Sequence, residues 1–353
     1  IQLKEYLSCE EPRACPGGPT IHHFSIFQSL MQSSGKKIKL LLKLIITVLF
    51  LSIVFRNYFD LEKLEILLRT TNYFFIIILL FISFCHRYVN AIQINICLKP
   101  FSVICKVKDA FKIQLISTFY AFVLPGEIAS LTVSWYLFSK KSGKRAQVAS
   151  VLIFIKIIYF LTLIPFVCFA IYFEPRLSYY KVSFPLIIFS VILLNILFAF
   201  FIRPVTVFYE IITLWIIDKF KISRISQALS NFWKAVYTFQ EHPTLFIFST
   251  VFISFLLHLL YFLWFLISIY SLNISVPFFV CFWLIPLLVF IRMLPLTFAG
   301  TGARELSFVI ILKWYGVTSE QALLFSILIL LFAIIQAGCG AYLNLRMKNL
   351  SRL

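Results

Sequence analysis

The stretch from Leu294 to Glu305 reads LPLTFAGTGARE and lies between two apolar segments. Pro295, near the start of this stretch, is a helix-breaking residue. Gly300 and Gly302 follow, just before an Arg-Glu pair. Broken helices are tolerated at membrane depth only inside protein or along a watery cavity. Ionisable residues at that depth are functional candidates by default. The stretch therefore predicts the tip of a helical hairpin inside a membrane, with a polar site beside it.

The composition around this stretch is that of a membrane protein. Of 353 residues, 61% are hydrophobic and 13% are charged, whereas soluble domains are about 45–50% apolar and about 25% charged. Lys and Arg outnumber Asp and Glu by 32 to 14. These cations are spread through short loops, as the positive-inside rule describes, so we expect no nucleic-acid partner. The fold class predicted is an all-α, polytopic transmembrane helix bundle.

The apolar runs predict six full spans, since a span needs about 17–25 residues. They are Ile38–Phe55, Tyr73–Leu98, Val148–Phe173, Val182–Ile202, Leu245–Tyr270 and Gln321–Leu345. Basic residues precede the first span and follow the last, which predicts two cytoplasmic termini. We expect the membrane to be the plasma membrane of a prokaryote. We expect residues 1–35 to form a flexible N-terminal tail before a single transmembrane domain at 36–353.

The longest polar segment covers residues 203–242 and separates the fourth span from the fifth. Its apolar residues recur with helical spacing at Ile222, Ile225, Leu229, Phe232 and Val236. This periodicity predicts one amphipathic helix lying on the cytoplasmic membrane surface.

Two further apolar segments are each broken into two arms, and no single arm is long enough to cross the membrane. The first runs from Phe111 to Phe138, is broken at Pro125 and Gly126, and has basic residues at both ends. It predicts a re-entrant hairpin from the cytoplasm, and the alternative is one tilted span kinked at Pro125. The second contains the opening stretch and runs from Phe278 to Tyr315. It predicts a hairpin that enters from the outside.

Both hairpins share one sequence plan. Each has a Leu-Pro tip with an acidic residue, then a glycine, then Ala and Ser four residues apart, then a span. Together with the opposite orientations, this plan predicts an inverted repeat with halves at about 73–173 and 245–345. Inverted repeats in transporters place the binding site at mid-membrane, between broken helices.

The charged residues of the apolar segments predict a lipid headgroup site. Glu127 and Glu305 are the acidic residues there, and we expect both in one polar cavity near mid-membrane depth. The basic residues at that depth are Arg87, Lys156, Arg292 and Arg304, whereas Lys43 lies near a helix end and is expected to reach the membrane surface. Guanidinium groups match phosphate oxygens in bidentate fashion, and the helix after Gly302 offers free N–H groups to an anion. The alternative is internal ion pairing that holds the bundle together.

Other chemistry finds little support. The eight cysteines form no CxxC pair and the five histidines lack metal-ligand spacing, so we expect no metal and no cofactor. Gly300 and Gly302 do not follow a strand, which argues against a dinucleotide-binding fold. Because no nucleophile–base pair is visible, we expect no enzymatic activity.

The two motifs resemble those of the transmembrane region of lysylphosphatidylglycerol synthase and its stand-alone, flippase-like relatives. LPLTFAGTGARE followed by GVTSEQAL is similar to the late motif of that family, and FVLPGE followed by AQVASVL to the early one. Arg87 matches a family arginine. The chain departs from the family at residues 128–130, where further glycines and an arginine are usual. The family arginine in the span after the early motif is at best replaced by Lys156, and a late-span arginine is absent, with Ile329 and Leu330 in its place.

The resemblance implies a protein that binds or moves an anionic lipid or a lipid-linked glycan between leaflets. The soluble aminoacyl-transferring domain of the full synthase has no counterpart in this chain, so we expect no synthase activity. The alternative is a non-transporting membrane partner of a glycosyltransferase or lipid-modifying enzyme. A homo-oligomer is compatible with both.

Overall fold

The computed structural model describes residues 61–123, 127–174, 183–219, 223–241, 244–293 and 302–350, together with Leu49, Ser52 and Arg56. Within these residues the chain is helical and contains no strand, which confirms the predicted all-α fold class. The predicted tail at 1–35 and most of the predicted span Ile38–Phe55 lie outside the described residues.

The α-helices of the described ranges are numbered in chain order. They are α1 Leu61–Thr70, α2 Tyr73–Leu98, α3 Val107–Val123, α4 Glu127–Ser142, α5 Arg145–Phe173, α6 Ser183–Phe201, α7 Arg203–Lys219, α8 Ser223–Glu241, α9 Thr244–Ser271, α10 Val280–Met293, α11 Ala303–Leu312 and α12 Ser319–Leu350. Two 3-10 turns, Lys99–Phe101 and Lys313–Tyr315, extend α2 and α11.

Four helices are long and apolar enough to cross a membrane: Tyr73–Phe101, Arg145–Phe173, Phe246–Ser271 and Ser319–Arg346. They belong to α2, α5, α9 and α12 and agree with four of the six predicted spans. Such helices are apolar around most of their circumference, so van der Waals packing, rather than an amphipathic stripe, joins them in lipid.

A fifth predicted span, Val182–Ile202, corresponds to α6, which is followed by a sharp bend. Its part Ile187–Phe201 meets Arg203–Ile217 of α7 at an angle of 104°. By length and composition the described residues therefore hold four candidate spans, or five when the bent pair counts as one. They do not establish the predicted number of six.

The first broken segment is a helical hairpin made of α3 and α4, called hairpin 1 below. Its arms are antiparallel: the Ser134 hydroxyl donates to Ser117 Oγ at 2.8 Å. Lys141 forms an ion pair with Asp109, which joins the far ends of the two arms. The alternative of a single tilted span kinked at Pro125 is wrong, because the start of α3 and the end of α4 lie side by side.

The second broken segment is a hairpin made of α10 and α11, called hairpin 2 below. The rings of Trp283 on α10 and Trp314 just after α11 stack with centroids 6.2 Å apart. The Tyr315 hydroxyl donates to Glu174 at the end of α5. These contacts place both arms of hairpin 2 at the α5 C-terminus.

The two hairpins open toward opposite ends of the bundle, and α2 shows the direction. At its start, Asn72 N donates to Ser271 O at 3.1 Å, just before hairpin 2 begins. At its far end, Phe101 O accepts from Lys144 Nζ at 2.9 Å, just after hairpin 1 ends. With 26 residues, α2 is about 39 Å long. The open ends of the two hairpins, called their mouths below, are therefore far apart.

Packing between the two halves is reciprocal. α12 packs against α3, and α5, the corresponding helix of the first half, packs against α10. α2 packs against its own counterpart, α9. Such exchange of contacts is expected of halves related by a pseudo-two-fold axis, while the inverted repeat itself stays a prediction.

The predicted single amphipathic helix at 203–242 is instead two helices, α7 and α8. Val236 of α8 is fully buried, and the ring of Phe239 lies 4.8 Å from that of Phe154 on α5. The apolar face predicted to meet the membrane surface therefore packs on protein. Periodicity shows that a face is apolar but does not distinguish lipid from protein as its cover.

Candidate functional site

Gly302 is the N-cap residue of α11 and fixes the position of Glu305. Its φ of +88° lies in a region that glycine occupies without steric cost. Its N–H donates to the Glu305 carboxylate, which sits in the first turn of the helix. The carboxylate thus satisfies an N–H left open at the helix start and lies at the positive end of the helix dipole.

Arg304, Glu305 and Ser326 form a closed cluster between α11 and α12. Arg304 pairs with Glu305 through one guanidinium nitrogen, and its Nε donates to Ser326 Oγ at 2.8 Å. The Ser326 hydroxyl in turn donates to Glu305 at 3.0 Å. The side chains of Arg304 and Glu305 are only 3% and 6% exposed.

This cluster bears on the two roles weighed for Arg304. An isolated arginine at the bilayer centre costs about 2.5–3.5 kcal/mol on insertion scales. Here Glu305 neutralises the charge and Ser326 takes a further donor, so the arrangement matches the ion-pair alternative. In the conformation described, Arg304 joins hairpin 2 to α12.

Arg87 lies near the middle of α2, about 21 Å from its start and about 17 Å from its end. Its Nε donates to Gln336 Oε1 on α12 at 3.0 Å, and the residue is only partly buried. An arginine at this depth that is only partly buried suits contact with an anion.

Polar and small residues of α12 contact three other helices in turn. Ser326 bonds α11, Gln336 bonds α2, and Asn344 donates to Tyr120 on α3 at 3.3 Å. Ser326 and Asn344 are about five turns apart and so lie on one face. We call Ser326, Gln336, Gly340 and Asn344 the α12 stripe.

Gly340 lies where α12 and hairpin 1 approach each other closely. A Cβ atom at this position would lie 2.1 Å from the carbonyl oxygen of Leu115 on α3. Small residues let transmembrane helices approach backbone to backbone. Hairpin 1 therefore rests on α12 at Gly340, and hairpin 2 is bonded to the same helix at Ser326.

Lys156 lies on a different helix from the stripe, near the middle of α5. Its Nζ is 5.8 Å from the ring centroid of Tyr159, one turn further along, within the range of a cation–π interaction. The structure thus brings Arg87 and Arg304 to α12 and places Lys156 on α5.

The remaining predicted site residues are only partly described. Glu127 begins α4 and Arg292 lies near the end of α10, but their side chains lie outside the description. The predicted hairpin tips Pro125, Gly126, Pro295 and Gly300 also lie outside the described residues. The shared cavity of Glu127 and Glu305 therefore stays a prediction.

Sequence reasoning singled out no residue of the α12 stripe as a site residue. Ser326 was noted only as the serine of the repeated Ala-Ser spacing, and Gln336 was not noted at all. A signal did exist, because polar and small residues recur down one face of an otherwise apolar span. Such a face usually marks helix contact or a polar pathway.

Comparison with known proteins agrees with the fold. No curated protein and no solved structure matches the chain. The family model described as Lysylphosphatidylglycerol synthase TM region matches residues 40–338, most of the chain. Together with the long apolar helices, this match makes the protein an integral, multi-pass membrane protein. The chain belongs to the family of the lysylphosphatidylglycerol synthase TM region.

Proposed function

We propose that this protein binds an anionic lipid or lipid-linked glycan by its headgroup and moves it between the two leaflets. One observation carries the proposal: two hairpins that open toward opposite ends of the bundle contact the same helix, α12. Family membership supports a role in lipid-related processes. The proposal contains no enzymatic step.

Arg87 is the proposed headgroup ligand in the conformation described. It is partly exposed and bonded to Gln336, whereas Arg304 is closed off by Glu305 and Ser326. A phosphate could replace Gln336 as the acceptor for the Arg87 guanidinium, with a stronger, charge-assisted hydrogen bond. Arg304 in this proposal holds hairpin 2 in place.

The opposite orientation of the hairpins supplies a physical route across the membrane. A headgroup held near mid-depth can reach either leaflet only if the protein opens toward each side in turn. A hairpin at each end of the bundle, both in contact with α12, offers one movable element for each side. This is how transporters with broken helices alternate access around a fixed site.

Lipid movement is testable in reconstituted vesicles that carry a trace of acyl-labelled fluorescent phosphatidylglycerol. A membrane-impermeant reductant added outside bleaches the outer leaflet at once and the inner leaflet only if lipid is translocated. In vesicles that contain the wild-type protein, we expect the reductant to bleach the labelled lipid of the inner leaflet as well, in a second and slower phase. Arg87→Ala should slow that phase roughly ten- to hundredfold, because a charge-assisted hydrogen bond contributes about 1.5–3 kcal/mol.

The matched control is Arg69→Ala, which removes an exposed arginine on α1 and should leave the rate unchanged. Arg87→Lys keeps the charge but loses the bidentate geometry, so an intermediate rate is expected. A protected fraction that persists in wild-type vesicles would contradict translocation and favour the non-transporting partner. Equal rates for wild type and Arg87→Ala would exclude Arg87 as the headgroup ligand.

A further inference from the structure

Helix α7 leaves the bundle at the end where hairpin 1 opens. The ring of Phe200, near the end of α6, packs on Phe239 at 5.2 Å, and Phe239 packs on Phe101 at 4.9 Å. α6 has 19 residues, about 28 Å, which nearly matches the hydrocarbon core on its own. After a bend of 104°, α7 therefore runs close to the membrane plane if α6 crosses it.

Four polar side chains along the middle of α7 form hydrogen bonds with other helices of the protein. Three hydrogen bonds join them to α8: Tyr237 to Glu210 at 2.7 Å, Gln240 to Thr206 at 2.6 Å and Trp233 to Thr213 at 3.0 Å. A fourth comes from the Tyr209 hydroxyl of α7 itself, which donates to Asn195 on α6 at 2.8 Å. One side of α7 is thus a polar face packed on protein.

The opposite side of α7 is apolar and exposed. Phe208, Ile211 and Trp215 are 59%, 62% and 63% exposed, and their spacing puts them on one stripe. A helix at a water-facing surface has the reverse arrangement, with its apolar face on the protein. An exposed apolar stripe of this size marks a membrane or protein interaction surface, and the bilayer is the medium that surrounds an integral membrane protein.

We propose that α7 is an in-plane membrane helix whose Phe208, Ile211 and Trp215 side chains insert among the lipid acyl chains just below the headgroups. Its charged ends suit that depth: Arg203 begins the helix and Lys219 ends it. Lys219 Nζ lies 5.3 Å from the ring centroid of Trp215. Tryptophan and basic residues together are typical of the interface between hydrocarbon and headgroups.

This surface is independent of the headgroup site and of lipid movement. It also differs from the surface that the sequence predicts, because the apolar face of α8 is covered by α5 and only α7 turns its apolar face outward. The occupant is the bilayer leaflet at the basic end of the bundle, where Arg203 at the start of α7 favours anionic headgroups.

Depth measurements on spin labels test the proposal. Single cysteines replace Phe208, Ile211 and Trp215, one at a time, in full-length protein without its native cysteines, in phosphatidylglycerol–phosphatidylethanolamine vesicles. Relaxation by oxygen and by a water-soluble nickel chelate gives the depth of each label. Positions 208 and 215 are about 10 Å apart along the helix. We expect all three labels at one shallow depth within the acyl chains.

The matched control is a second set of labels at Phe74, Ile77 and Phe81 on α2, which have the same spacing and are 66%, 69% and 70% exposed. Because α2 is long enough to span, their depth should change by about 10 Å from the first to the last. A similar gradient along α7 would show a bent transmembrane span and overturn the proposal. Labels shielded from oxygen would also overturn the proposal and would indicate a protein partner on this face. Labels accessible to the nickel chelate alone would overturn it as well, because the face would then lie in water.

Discussion

Replacing Arg304 with alanine is expected to destabilise the folded protein by about 3–5 kcal/mol, because removing one partner of a buried ion pair leaves an uncompensated charge. The side chains of Arg304 and Glu305 are nearly inaccessible. Ser326 would also lose the donor that reaches it at 2.8 Å. The lost contacts would release hairpin 2 from α12. The measurement is thermal unfolding of detergent-purified protein.

An exposed ion pair in the same protein provides the control. Arg69 Nη2 lies 2.8 Å from a Glu65 oxygen, but the two side chains are 78% and 66% exposed. Solvent screens such pairs, so Arg69→Ala should leave the unfolding temperature unchanged. An Arg304→Ala protein as stable as the wild type, but stripped of co-purified lipid, would contradict the structural role and make Arg304 a headgroup ligand.

Replacing Gly340 with alanine should force α12 and α3 apart. The new methyl group would lie 2.1 Å from the backbone carbonyl oxygen of Leu115, a distance that no side-chain rotation can relieve. Overpacking of this kind costs roughly 1–3 kcal/mol, against a gain of about 1 kcal/mol in helix propensity. The shift would also strain the hydrogen bond from Asn344 to Tyr120. We expect a lower unfolding temperature and slower lipid movement.

Gly338, two residues earlier in α12, is the matched control. A Cβ atom there would meet no atom within 4 Å, so Gly338→Ala should be neutral or stabilising by up to about 1 kcal/mol. If the two variants unfold at the same temperature, the close contact between α12 and hairpin 1 is absent in solution.

The four long apolar helices and the paired arms of the hairpins were predictable from sequence because their signals are local. A long apolar run specifies a span, and a proline between two short apolar arms with basic residues at both ends specifies hairpin 1. For hairpin 2, Pro295 and Gly302 were the sequence signals that predicted a break between two short apolar arms. Each inference needs only neighbouring residues and the thickness of the bilayer.

The partners of the charged residues were not predictable, because they depend on contacts between distant segments. Arg87 and Gln336 are 249 residues apart in the chain, and nothing local to Arg87 indicates an amide from the last helix. The Arg304–Glu305 pair was visible as an alternative because its members are adjacent. Ser326, which completes the cluster, comes from another helix.

Helices α7 and α8 illustrate a further limit. The apolar spacing around Leu229, Phe232 and Val236 correctly predicted a helix with one apolar face. It did not say that α5 would cover this face, nor that the chain would bend at Ile202 and turn α7 outward. Lipid and protein interiors are similarly apolar, so hydropathy alone cannot tell which one a face will meet.

Side-specific labelling of two single cysteines tests most directly the claim that the two hairpins enter the membrane from opposite sides. Lys108 lies at the mouth of hairpin 1 and Ser275 in the loop before hairpin 2, and both are exposed. In full-length protein without native cysteines, a membrane-impermeant maleimide is applied to intact cells and to inverted vesicles. We predict labelling of Ser275→Cys only from the outside and of Lys108→Cys only from the cytoplasmic side. Labelling of both positions from the same side would contradict the inverted arrangement, and with it the proposed route for the lipid.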